Sequence, residues 1–397
     1  MEAYILDWAN LLLRWLHIIT GIAWIGSSFY FVWLDNSLLK PQDPELIEKG
    51  VSGELWAVHG GGFYNPQKYL VAPKRLPEHL HWFYWESYST WMSGFALLVA
   101  LYLFNARTYL IDRNVFDWGP VAAVVAALCF LVVGWLAYDI ICRVAGTDER
   151  ADRKVGIAVA LFVAASAWLA CHLFAGRAAF LIVGAMIATI MSANVLMVII
   201  PGQRKVVAAM RAGEPVDPVH GKLGKQRSVH NTYFTLPVLF AMLSNHYSMV
   251  YSAPHNWLVL IVLMLAGALI RQFFVLRHKG VTNPWYPAAG IALLLGVAVA
   301  IAPPGLGKGA APPAPLGAQG IGQVQQVVAQ RCVMCHNAQL ANKGIQLQTP
   351  EMLKSHAQVV YQQAVVQKTM PLNNATGMTD DERALLARWF QEGAPVH

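Results

Sequence analysis

The chain has 397 residues, of which 56% are hydrophobic and only 13% charged. Soluble domains run at about 45–50% apolar and about 25% charged, so the composition excludes an ordinary soluble globular protein. The net charge of +7 does not indicate nucleic acid, because the basic residues gather between apolar runs, where they set the orientation of a membrane protein.

A bilayer core of about 30 Å needs about 20 helical residues to cross. Eight apolar segments approach this, at 8–33, 82–104, 118–141, 155–174, 178–201, 231–251, 256–276 and 285–302. The second and sixth are the most polar and the eighth is short. No short apolar region followed by an A-x-A site precedes the first, which therefore reads as a retained helix rather than a signal peptide.

Lysines and arginines between the spans alternate in density. Connections 34–81, 142–154, 202–230 and the one around Arg271, Arg277 and Lys279 hold eighteen, whereas the alternate connections hold only Arg107, Arg113 and Arg177. Basic residues stay on the cytoplasmic side, so both termini are expected outside it, with the chain in a bacterial inner membrane.

Residues 303–320, "PPGLGKGAAPPAPLGAQG", have ten Pro or Gly among eighteen and read as a linker. The polar stretch 321–397 follows. In it "QVQQVVAQRC" has the period of an amphipathic helix, and Thr379 and Glu382 are spaced as a capping box. Leu385, Leu386, Trp389 and Phe390 give the last helix an apolar stripe that stops at Gly393.

Between these helices Cys332, Cys335 and His336 form C-x-x-C-H, the attachment spacing of a c-type haem. Two thiols bond the macrocycle and the adjacent imidazole ligates its iron. Met370, in "KTMPLNN", is the preferred second axial ligand, with Met334 and Met378 as competitors. C-type haem is attached outside the inner membrane, which agrees with the charge count. Cys129, Cys142 and Cys171 lie in or beside apolar runs and read as packing residues.

Ionisable groups within spans are functional candidates by default. In the first span His17, Gly21, Trp24 and Ser28 share one helix face. In the second, Glu86, Thr90, Ser93 and Gly94 do so, with His79 and His81 at the cytoplasmic mouth. A carboxylate or imidazole there can take a proton from a substrate, which makes Glu86, His17, His81 and His230 the catalytic candidates. His17 and His246 fall roughly 14 Å and roughly 7 Å below the outer surface, where the two together are candidate ligands of a second, b-type haem. His172 and His255, at outer helix ends, read as interfacial. His59 precedes Gly60–Gly62, a run whose backbone N–H groups suit an anion and equally a flexible turn.

The order "WLHIITGIAWIGSSFYF", "HLHWFYWESYSTWMSG", "VLMVIIPGQ" and "VHNTYFTLPVLFAMLSNHY", followed by C-x-x-C-H, resembles the bacterial membrane-bound urate oxidases, the PuuD-type urate hydroxylases, over essentially the whole chain. The resemblance implies an all-α fold of about eight transmembrane helices (1–302), a linker (303–320) and a small class I-like cytochrome c domain (321–397). It implies oxidation of urate to 5-hydroxyisourate in purine breakdown, with electrons leaving through haem c on Cys332, Cys335, His336 and Met370. Their acceptor would be a soluble cytochrome c or a terminal oxidase rather than oxygen. It assigns no residues to the urate pocket. The residues alone leave open a membrane cytochrome acting on another small substrate or quinol, and a redox-linked transporter.

Overall fold

A computed structural model of the chain describes residues 2–69, 73–147, 149–302, 315–341, 344–366 and 368–396. The structure is 71% helical. Most of the linker, 303–314, lies outside the described residues.

Eight long helices follow in order: α1 (Glu2–Ser37), α2 (Trp85–Leu98), α3 (Pro120–Ala145), α4 (Glu149–Leu173), α5 (Gly176–Ala212), α6 (Pro218–Leu243), α7 (Asn256–His278) and α8 (Trp285–Ala300). Among the described residues five stretches are long and apolar enough to cross a membrane, namely Trp8–Ser37, Pro120–Ala145, Asp152–Leu173, Gly176–Ala212 and Asn256–His278. This is consistent with a membrane protein. Trp285–Ala300 is apolar but shorter.

Two of the expected spans depart from their sequence bounds. The second becomes α2, beginning at Trp85 and continuing through a π-helical turn at Val99–Leu103. The sixth was expected at 231–251, but α6 starts at Pro218, where the Asp217 side chain accepts from Val219 N (2.9 Å). It stops at Leu243. The supposed loop 202–230 is therefore mostly helix. Gln226, Arg227, Asn231, Thr232 and Thr235 are all buried in it. Polar residues on the packed face lower its mean hydropathy without exposing it.

α5 is the centre of the bundle. Ala178, Ala179, Phe180, Ile182, Val183, Met186, Ile187 and Ile190 are each no more than 1% exposed. α3, α4 and α6 pack around it, α7 packs on α6 and α4, and α8 packs on α7. Small residues permit these approaches, since a Cβ on Gly184 would stand 2.7 Å from Ala241 Cβ. α1 packs on α2, and α2 is tied to α5 by Trp91 Nε1 donating to Thr189 Oγ1 (3.1 Å) and by Ser87 with Ser192 (3.2 Å). A π-helical turn, Asn194–Ile199, precedes Pro201 in α5, where the missing proline N–H interrupts the helical ladder.

Between α1 and α2 the chain makes two small antiparallel sheets, Val51–Glu54 with Gln67–Tyr69 and Ala57–His59 with Gly62–Tyr64. Gly60 and Gly61, at φ of +58° and +81°, close the second hairpin. The glycine run is thus a tight turn, a conformation glycine adopts without strain.

The C-terminal segment has its own core. Val324 and Val328 of α9 (Ala318–Arg331) meet Leu386 and Trp389 of α10 (Asp380–Gln391), with Leu347, Leu353 and Val360 between them. The Thr379–Glu382 capping box forms as its spacing requires.

Candidate functional site

Three places concentrate chemistry. The first is the C-x-x-C-H turn at the end of α9. Cys335 N and His336 N both donate to Cys332 O (3.1 and 3.0 Å), which draws the three side chains into one turn. His336 Nδ1 lies 3.2 Å from Ile345 O. A carbonyl oxygen only accepts, so the proton sits on Nδ1 and Nε2 keeps its lone pair, as an iron ligand requires. Burial pushes the Cys332 thiol up to about 11.

Met370 packs against the C-terminal core. Its carbonyl accepts from Arg383 Nη1 (2.7 Å) and its N–H donates to Gln363 O (3.0 Å). Arg331, beside the motif, reaches Glu382 (3.0 Å) and donates to Thr376 O, which ties the cysteine turn to the Met370 loop. Met334 is 61% exposed and Met378 only 3%, one turned to solvent and the other sealed in the core. Cys332, Cys335 and His336 offer the donors a c-type haem takes, and Met370 would be the residue to supply its sulfur ligand.

The second place is a buried polar cluster between α3, α5 and α6. Arg227, 1% exposed, donates from Nη2 to Asp139 Oδ1 (2.7 Å), and its guanidinium carbon lies 4.9 Å from the Tyr138 ring centroid. Tyr138 Oη and His230 Nδ1 are hydrogen-bonded at 2.7 Å. Asn194 Nδ2 donates to Tyr138 Oη (3.1 Å) and Asn231 Oδ1 (2.9 Å), and Asn231 Nδ2 donates to Met191 O (3.0 Å). Arg227 Nε and Nη1 and Asn194 Oδ1 are buried without a partner among the described residues. Such groups cost about 1–3 kcal/mol apiece unless something polar satisfies them. Two cationic donors and one acceptor buried without a partner among the described residues, beside a short Tyr–His bond, are groups that can hold a polar anion.

The third is a cavity of about 370 Å³ between α1, α2, α5 and the turn after α6, lined by both His17 and His246. The two helix faces read from sequence do meet there. His17 Nδ1 lies 3.1 Å from Thr90 O and from Ser93 Oγ, and a Cβ on Gly94 would stand 2.7 Å from His17 Cε1.

A family model described as "Urate oxidase N-terminal" matches residues 3–302. The chain belongs to that family. No curated protein and no solved structure matches the chain. It is accordingly a urate-oxidase-related oxidoreductase, and the matched range contains the buried cluster and the cavity but not the C-x-x-C-H turn.

Within this urate-oxidase-family chain, the residues singled out from sequence scatter. His230 enters the buried cluster, and His17 and His246 share the cavity. Glu86 lies in the first turn of α2, half-buried, where the helix dipole favours a carboxylate, rather than deep among the helices. His81 is exposed before α2 and stacks edge-on against Phe83 at 4.7 Å. His172 and His255 border a cleft of about 710 Å³ between the outer helix ends and the C-terminal segment.

Arg227 had been counted among loop charges and Arg271 likewise. Both are buried in helices, Arg271 with Nε and Nη2 unpaired and its guanidinium 4.0 Å from the Phe29 ring. Tyr138, Asp139 and Asn194 were not singled out at all. Asp139 in "GWLAYDIICR" was the available signal, an ionisable residue within an apolar run.

Proposed function

We propose that the chain is a membrane-bound urate oxidase that sends electrons to a covalent haem c instead of to oxygen. Residues 1–302 form the oxidising membrane part and 321–397 a periplasmic cytochrome c domain on the 303–320 linker, with both termini periplasmic. The separate core of the C-terminal segment supports this division.

The reading rests on Arg227, a fully buried cation with two unpaired donors beside a Tyr–His pair, inside the range that matches the urate oxidase family. Urate and water yield 5-hydroxyisourate with release of two protons and two electrons. Arg227 holds the urate anion through Nε and Nη1, and Asn194 Oδ1 accepts from a ring N–H. His230 takes a proton as electrons leave, with Tyr138 sharing it across the 2.7 Å bond. Asp139 keeps Arg227 in place. Glu86 and His81, at the start of α2, carry protons between this site and the cytoplasm, and His17 serves the neighbouring cavity. Cys332 and Cys335 would hold a covalent haem, with His336 and Met370 as its axial residues, and that group would supply one-electron transfer toward a soluble cytochrome c or a terminal oxidase.

The test is to add urate to the purified, air-oxidised holoprotein and follow the reduced haem bands. Reduction by urate is expected. Reduction by a quinol with none by urate would overturn the assignment.

A further inference from the structure

The polar cluster around Arg227 leaves the cavity beside His17 without a role. Its body is apolar, formed by Phe95, Leu98, Leu131, Leu181 and Met242, so it suits urate poorly. Its volume of about 370 Å³ falls in the usual range of cofactor sites, about 300–1,000 Å³.

Two of its polar groups are histidines. His17 stands on α1 with Nδ1 facing the Thr90 carbonyl at 3.1 Å, so the proton is on Nδ1 and Nε2 offers a lone pair. A ligating histidine is commonly oriented this way by a carbonyl behind it. Gly94 makes room for the ring, since any Cβ there would collide with it. His246 enters the same cavity from the short turn after α6.

At the end of the cavity that the charge count places outside, Arg14 is on the wall. Arg177, on the wall of the neighbouring cleft of about 710 Å³ rather than of this cavity, lies 5.9 Å from the Tyr109 ring and keeps a buried Nε with no partner among the described residues. Two imidazoles at an apolar slot, with one guanidinium group on its wall, match a flat macrocycle that has a central metal and carboxylates on one edge.

We propose that this cavity binds a non-covalent b-type haem. His17 Nε2 and His246 would ligate its iron and Arg14 would pair with a propionate. Binding at this site requires neither urate nor the C-x-x-C-H turn, whereas its use as a relay rests on the function proposed above.

Its placement indicates what it does. Tyr102 on the cavity wall meets Tyr109, with ring centroids 5.5 Å apart, and Thr108 O accepts from the Asn373 side chain, three residues beyond Met370. The bound iron is then a relay. Bound there, the ferric iron would take one electron from the reduced substrate, urate on the reading above, and would return to ferric by giving it to a haem on Cys332 and Cys335, with no bond made or broken in the protein.

The experiment uses full-length holoprotein purified in detergent after expression with cytochrome c maturation. Acidified organic solvent removes non-covalent haem and leaves covalent haem on the chain, and each fraction is assayed as its pyridine haemochrome. One extractable b-type haem per chain is expected, lost from His17→Ala and from His246→Ala while covalent haem is unchanged. Gly94→Ala, which pushes the His17 ring, should alter the low-spin resonance of the extractable haem without touching the covalent one. Retained covalent haem and a single gel-filtration peak show that a variant has folded. No extractable haem in the parent protein, an extractable haem that survives both histidine variants, or a quinone in its place would each overturn the proposal. Failure of urate to reduce the protein would leave these spectra unchanged, so the two readings fail separately.

Discussion

Replacing Arg227 by Met separates the structural and chemical roles of the buried guanidinium. Arg227 and Asp139 are paired at 2.7 Å with side chains 2% and 12% exposed. Removing one member of such a pair costs about 3–5 kcal/mol. The lower end applies here, because Asp139 keeps a second partner in Arg143, at 2.6 Å. Arg227→Met alone should therefore lower the unfolding midpoint and confuse any activity measurement. The double variant Arg227→Met/Asp139→Leu removes both charges, and replacing a buried pair by apolar groups is often neutral or stabilising. It should fold about as well as the parent. Its urate chemistry should still fail, since Nε and Nη1 each supply a charge-assisted bond of about 1.5–3 kcal/mol. Together these amount to about 3–6 kcal/mol, or at least about a hundredfold in kcat/KM at 1.36 kcal/mol per decade. The assay is the initial rate of urate-driven haem reduction, with dithionite giving the total reducible haem. A double variant reduced by urate at the parental rate would refute the placement of urate at Arg227.

Gly94→Ala puts a Cβ 2.7 Å from His17 Cε1 and should destabilise the α1–α2 contact by about 1–3 kcal/mol, read as a lower thermal midpoint in detergent, whereas Gly156→Ala, whose Cβ meets nothing within 4 Å, should not. Met370→Ala should abolish the iron–sulfur charge-transfer absorption of the c haem and Met378→Ala should leave it in place; the reverse pattern would make Met378 the ligand. The Asp380 carboxyl is held below its ordinary value by the hydrogen bond from Lys368 (2.8 Å), so its small contribution to stability is complete above the usual aspartate pKa of about 3.9 and fades as the pH falls through the depressed value. Lys368→Ala should accordingly lower the unfolding midpoint above that range and converge with the parent in acid, a difference that a pH series of melts would record.

Much of the fold was legible because it follows from local chemistry. Apolar runs of 22 to 37 residues became helices at Trp8–Ser37, Pro120–Ala145, Asp152–Leu173, Gly176–Ala212 and Asn256–His278, since a long apolar segment can satisfy its backbone only by coiling on itself. The capping box at Thr379 and Glu382 formed for a similarly local reason. α6 was misjudged at its start because its buried face is polar, and hydropathy cannot distinguish a polar face turned to water from one turned to neighbouring helices. For the same reason Arg227 and Arg271 were counted with the loop charges.

The sequence by itself determined the helices, the C-x-x-C-H turn and the likeness to urate oxidases, all of which depend on residues close together along the chain or on an ordered series of motifs. Only the tertiary structure decided that His17 and Gly94 touch, that His246 borders the same cavity, and that His230 pairs with Tyr138 beside Arg227. Those contacts join residues 77 to 229 positions apart, and what brings them together is the packing of α1 on α2 and of α2, α3 and α6 against α5. Which buried donors are left unpaired is a property of that packing, because a hydrogen bond is made or missed by position in space and not by residue type.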